Sequence, residues 1–226
     1  HSAKQIASTL VKQEKKKEAV IFLEKIFQKI KKPTVYEIFD YAKFLKNNEK
    51  FQESIKYYTN VINIIDRKHN LYGQAHDGRG VAYERTNQWL KAETDLLNSL
   101  SVSPNDAYVI NYLAYSWIEK GLNIEKSLNM LRKANALRPN DGYIIDSLGW
   151  ALFKLKKYKD AKKYLQLAVR IMASDPVIND HYADALWMNN NSLQARYYWN
   201  YVLKLNKTEE KLKKEIEQKL LFGLKT

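Results

Sequence analysis

The four histidines, His1, His69, His76 and His181, are where acid–base or metal chemistry would first be sought. None has HExxH spacing or a paired nucleophile, and the chain has no cysteine to serve as a thiolate, a zinc ligand or half of a disulfide. Asp180, His181 and Asp184 invite a divalent-metal reading, but consecutive helical residues point about 100° apart. No metal and no cofactor is expected there, and His181 reads as a packed or surface side chain. Gly78-Arg79-Gly80 lacks the further glycines and the preceding strand of a phosphate-binding loop. The residues offer no catalytic set, so the protein is expected not to be an enzyme.

Other side chains have the spacing for recognition. Tyr108, Asn111 and Tyr115 recur at helical intervals, as do Tyr143, Asp146, Trp150 and Phe153, and then Asp180, Asp184 and Trp187. Residues at i, i+3 or i+4, and i+7 project from one face of a helix. Three such helices side by side would place Asn111, Asp146 and Asp180 in one row and Tyr115, Trp150 and Asp184 in the next. Aromatic surface supplies burial for a peptide, Asn111 can fix a peptide backbone, and the three aspartates would select a basic residue or free donors. The competing reading is that curvature tucks these side chains between neighbouring repeats as core. The corresponding early residues, Phe39, Lys43 and Lys46, predict a more basic end.

What must position these rows is a repeat. A small residue falls at Ala19, Ser54, Ala92, Ser127, Ala161 and Ala195, at spacings of 35, 38, 35, 34 and 34. In the clearest unit, Asp141 can cap a helix carrying Ile145, Leu148, Gly149 and Leu152 on one face, and a second helix carries Tyr158, Ala161, Leu165 and Ala168. Small residues are wanted where two helices cross closely, here Gly149 against Ala161. Pro104-Asn105-Asp106 and Pro139-Asn140-Asp141 repeat one device, in which proline stops the outgoing helix and the polar residue caps the next. The predicted units are 3–33, 35–68, 71–105, 106–140, 141–175 and 176–206. Residues 207–224 form a last helix, with Thr208 able to cap it and Leu212, Ile216, Leu220 and Leu221 as its apolar stripe. It should shield the end of the array.

The helical period, the small residues at the crossings, the large ones beside them and the closing prolines resemble the tetratricopeptide repeat. The resemblance implies an all-α fold, a right-handed α-solenoid of about six helical hairpins with a C-terminal capping helix. The pentatricopeptide repeat, which reads RNA bases, has a similar length, but the paired small residues and the Pro-Asn-Asp linkers favour the tetratricopeptide pattern. Residues 111–123, 138–151 and 175–187 further resemble the C-terminal repeats of large tetratricopeptide-repeat proteins of Gram-negative bacterial envelopes. Some of those are adaptors of a carboxyl-terminal-processing protease. The resemblance implies a scaffold or adaptor for a protein or peptide partner, in the periplasm or attached to the outer membrane, with the cytoplasm as the alternative. It carries over as groove residues Asn111, Tyr115, Asp146, Trp150, Asp180, Asp184 and Trp187, while Ala114 and Ala183 stand where a glycine is usual.

Composition agrees with a packed helical protein. Of 226 residues, 45% are hydrophobic and 28% charged, with only 7 Gly and 4 Pro. No apolar run reaches the roughly 20 residues of a membrane span, so a lipid anchor would need an upstream region. His1-Ser2 reads as a remnant of an expression tag. The net charge of +13 makes RNA or another polyanion the alternative partner, yet the lysines are dispersed over turns and outer faces, as in Lys154, Lys156, Lys157, Lys159, Lys162 and Lys163. Nucleic acid is therefore not the favoured ligand.

Overall fold

The computed structural model describes the backbone of residues 2–13 and 15–224, and the side chains from residue 5 onward within that range. His1, half of the expected tag remnant, lies outside the described residues. Among the described residues there are thirteen helices and no strands. The chain divides into two compact units at Pro104; the first holds two apolar clusters, one around Phe39 and Tyr58 and one around Leu23 and Tyr41.

The first unit holds α1 (Ser2–Lys12), α2 (Lys16–Gln28), α3 (Val35–Asn47), α4 (Phe51–Ile64), α5 (Tyr72–Arg85) and α6 (Trp89–Val102). The second holds α7 (Ala107–Glu119), α8 (Ile124–Leu137), α9 (Gly142–Lys154), α10 (Tyr158–Ile171), α11 (Pro176–Met188), α12 (Ser192–Lys204) and α13 (Glu210–Phe222). Odd and even helices up to α12 pair as antiparallel hairpins, A and B; the α3–α4 hairpin stacks on α5–α6 in the first unit, and the three hairpins of the second unit stack in chain order, as in an α-solenoid.

The crossings are built from the small residues. Ala19, Ser54, Ala92, Ser127, Ala161 and Ala195 are all fully buried. At Gly149 the close neighbour is Leu165: a methyl group there would lie 2.7 Å from its Cγ. Gly80 faces Leu96 and the Ala92 carbonyl in the same way. From the α3–α4 hairpin onward, each A–B turn reverses through one left-handed residue seven positions after the A-helix crossing residue: Glu49, Asn87, Gly121, Lys156 and Asn190. The following amide donates back to the helix, Lys157 N to the Leu152 carbonyl (2.9 Å) and Gln88 N to that of Tyr83 (2.8 Å), closing a Schellman-type cap. The extra residue of the α7–α8 turn is taken up by a second left-handed position, Asn123.

Helix starts follow the cap residues. Asp106, Asp141 and Asp175 each accept two backbone N–H groups of the first turn, and Thr34 forms a reciprocal capping box with Glu37. Thr208 departs from expectation: it is buried and its hydroxyl donates to the Val202 carbonyl (2.6 Å), while Glu209 holds the cap position of α13. It fastens the linker instead of starting the helix.

The second unit has one core, running from Ala114 to Ile216. Leu212, Ile216 and Leu220 of α13 face α12 and α11 as an A helix would, each 34 residues after Ile178, Tyr182 and Leu186. Glu217 then falls where Ala183 is crossed by a B helix, and it is exposed.

Candidate functional site

The A helices of the second unit carry the sequence-predicted rows, but those side chains do not all stand free. Tyr108 and Tyr143, in the first turns of α7 and α9, are 56% and 54% exposed. Arg138 lies over the Tyr108 ring at 5.6 Å. Asn111, Tyr115, Phe153 and Trp187 are half-buried, whereas Asp146, Trp150, Asp180 and Asp184 are buried.

The buried members are held within the unit. Both carboxylate oxygens of Asp146 lie 3.0 Å from His181 Nδ1 on the next A helix. An ionised carboxylate only accepts, so that nitrogen carries the proton. His181 also stacks on Trp150 with ring centroids 4.0 Å apart, and Trp150 stacks in turn on Phe153 at 4.8 Å. Its indole N–H donates to Glu119 (2.6 Å). The aromatic surface expected of Trp150 is therefore spent between neighbouring A helices, because stacking brings position 150 against position 181.

Asp180 and Asp184 share one base. Lys219 of α13 reaches all four carboxylate oxygens at 2.8 Å, and the Trp199 indole N–H donates to Asp184 at 3.0 Å. Burial, then the neighbouring Asp180, push Asp184 up to about 6, against the pull of Lys219. One ammonium cannot fully neutralise two carboxylates, so the pair carries a surplus charge that a proton relieves. Burial alone would push His181 down, but Asp146, with help from Asp180 and Asp184, outweighs it and holds the imidazole above its ordinary value. The three residues considered as metal ligands are thus divided between two separate partners.

Asn111 differs from its row-mates. Asp146 and Asp180 each hold a base, but the Asn111 side-chain oxygen is out of water and has no hydrogen-bond donor. Tyr115, one turn on, is pushed up by burial and by the charges of Glu119 and Asp146, and stays a neutral hydroxyl.

Two features escaped the sequence reading. One is Lys219, whose signal was its position 35 residues after Asp184, the interval that also separates His181 from Asp146. The other lies in the first unit. Asp95 of α6 accepts from Arg79 Nε (2.7 Å) and Nη2 (2.9 Å) and sits 2.7 Å from His76 Nδ1, in a polar knot under the glycine-rich α5. Burial would push Asp95 up, but Arg79 and His76 hold it below the usual carboxylate range. Nor is the early end simply basic: Glu37, Asp40 and Asp77 accompany Lys43 and Lys46 there, and Phe39 is buried against Tyr58.

Comparison with known proteins gives a consistent picture. The sequence profile of the tetratricopeptide repeat matches residues 4–212. The TPR repeat-containing protein PA4667 of Pseudomonas aeruginosa is 28% identical over 136 residues, 57% of this chain but only 21% of its own length. Among solved structures, a tetratricopeptide repeat protein from Parabacteroides merdae superposes with a TM-score of 0.71 at 14% identity, over 96% of this chain and 85% of its own. Pseudomonas aeruginosa PilF gives 0.64 at 18% identity, over 83% and 89%. MamA from Desulfovibrio magneticus RS-1 gives 0.63 at 14%, over 78% and 97%. At these identities the likeness is one of fold.

Proposed function

We propose that this chain, which belongs to the tetratricopeptide repeat family, is a non-catalytic scaffold that holds a peptide or protein segment against the A-helix face of its second unit. Asn111 carries the reading. It is the one member of the row Asn111, Asp146, Asp180 whose buried acceptor has no donor, and a half-turn of this half-buried amide would bring that oxygen to the open face, where a peptide N–H can satisfy it. On the same A helices Tyr108 and Tyr143 offer exposed aromatic surface, and Tyr115 stands half-buried one turn beyond Asn111. Phe153 and Trp187 extend the contact, while Asp146, Trp150, Asp180 and Asp184 set the shape of the face from beneath it.

The resemblance of residues 111–123, 138–151 and 175–187 to repeats of Gram-negative envelope proteins supports an adaptor role in the bacterial envelope. A photo-crosslinking amino acid at position 115, introduced in cells, tests both parts. Light-dependent adducts with an envelope protein are expected. They should be lost with Asn111→Ala and absent when the crosslinker sits on the outer face at Lys163. Adducts of equal yield from both positions contradict the site, and adducts confined to cytoplasmic proteins contradict the compartment. The exposed lysines of the α9–α10 turn support a polyanion reading less well, since Lys154 lies over the Trp150 ring at 4.9 Å. A steep loss of affinity with salt would favour it.

A further inference from the structure

The two edges of the second unit differ in charge. Where a B helix leads into the next A helix, the cap positions are held by Asp106, Asp141 and Asp175. Where an A helix leads into its own B helix, they are held by Asn123, Lys157 and Asn191, none with a side-chain cap. These A–B turns form one strip. Lys162 Nζ donates to Asn191 (3.2 Å) and Asn189 Nδ2 to the Tyr158 carbonyl (2.9 Å), tying the α9–α10 turn to the α11–α12 turn. On the other side, the Trp150 indole N–H reaches Glu119 at the end of α7. The middle turn carries Lys154, Lys156, Lys157 and Lys159, all exposed. Lys154 lies over the Trp150 ring, while Lys156, Lys157 and Lys159 have no carboxylate partner among the described residues. The acids of the strip are Glu119, engaged by Trp150, Asp160, paired with Lys163 at 3.3 Å, and Glu125, exposed beside Lys126.

Apolar side chains stand out on the two flanking turns. Leu122, between α7 and α8, is 42% exposed, and Leu193, in the first turn of α12, is 84% exposed, more than any other large apolar side chain among the described residues. Leu90, likewise the second residue of a B helix, is 78% exposed in the first unit. We infer that the A–B edge of the second unit rests on the surface of an anionic phospholipid bilayer, with Lys156, Lys157 and Lys159 among the headgroup phosphates and Leu122 and Leu193 in the interface. The negative surface potential attracts the lysines and the acyl boundary takes the leucines; the two contributions add. Nucleic acid fits this edge less well. Every cation of these turns is a lysine, without the arginine fork, and the nearby rings are engaged with one another, Phe153 stacked on Trp150 and met edge-on by Tyr158 at 5.2 Å, instead of standing free for bases. The contact is independent of what the A-helix face of the second unit binds.

Co-sedimentation of the whole chain with vesicles tests it. Native protein should bind phosphatidylcholine vesicles containing about 30% phosphatidylglycerol at least about tenfold more tightly than pure phosphatidylcholine, and should lose that preference at about 500 mM salt. A Lys156→Glu, Lys157→Glu, Lys159→Glu variant should bind the anionic vesicles at least about tenfold more weakly. The turn tolerates it, since Glu49 holds the same left-handed position between α3 and α4, and its helical circular-dichroism spectrum should match the native one. Leu193→Ser, with unchanged charge, should weaken binding about threefold. Because the chain has no cysteine, Leu193→Cys accepts a single environment-sensitive dye. Its emission should move to the blue on anionic vesicles, whereas the dye on Leu137→Cys, exposed at the opposite edge, should not respond. A lysine variant that binds as the native chain does, or a dye response as large at 137 as at 193, overturns the inference. So does a native chain that binds polyuridine RNA and not the vesicles, or that binds neither.

Discussion

Lys219 is the side chain on which the end of the second unit turns. Replacing it with Met leaves two aspartates, both nearly out of water, without a cation, and breaking a buried pair in this way costs roughly 3–5 kcal/mol. Urea titration at neutral pH should show that loss. It should shrink as the pH falls toward 5, because the unpaired carboxylates then take up protons. In the native chain the same groups give a pH slope whose sign can be worked out. Asp184 is raised from 3.8 to about 6, so the fold binds its proton more tightly than the unfolded chain, and its contribution to stability grows as the pH drops from 7 toward 4. His181 is raised above 6.5, so its contribution is complete below that pH and is lost as the pH rises through the higher folded value. Native protein compared with His181→Gln by urea unfolding should therefore show an advantage at pH 6 that declines by pH 8. An advantage that grows with pH would mean that His181 is buried neutral.

The helices were legible to different depths. The small-residue period located every hairpin from α3 to α12, because a crossing tolerates few residue types and each Pro-Asn-Asp linker names a stop and a start. Thr208 misled, since a threonine before a helix can cap it or, as here, turn inward to a carbonyl, and nothing local distinguishes the two. The A-helix rows were found, but not their burial: projection from a helix is a property of spacing, whereas occupancy depends on which side chain the next helix brings alongside. Asp146 and Trp150 lie under His181 for that reason, and Asp180 and Asp184 were claimed by a lysine outside the repeats. At the turns the period makes a sharper forecast. Lys156 holds a left-handed conformation with φ 59°, so Lys156→Gly should stabilise the protein by about 1 kcal/mol. Gly149→Ala should destabilise it by roughly 1–3 kcal/mol, as Leu165 has to move. Thermal melts of the two variants should shift in opposite directions.

At the scale of the whole molecule, the chain divides into two compact units at Pro104. Within the first unit α5 carries Gly73, Gly78 and Gly80 and the polar knot of His76, Arg79 and Asp95 in place of large apolar side chains. The second unit carries the exposed Tyr108 and Tyr143 on its A helices, and the lysines around the α9–α10 turn, Lys154, Lys156 and Lys157, are exposed. A ligand that uses the aromatic face should thus bind with little dependence on salt, and one that uses the lysines should not. The deciding measurement is the affinity of peptides selected from a random library against the native chain, taken at about 50 mM and about 500 mM salt for native protein and for Asn111→Ala, Tyr115→Ala. Binding that changes less than about threefold with salt and falls at least about tenfold in the variant is the expected result. Equal binding by the variant, or affinity that collapses with salt, would contradict it.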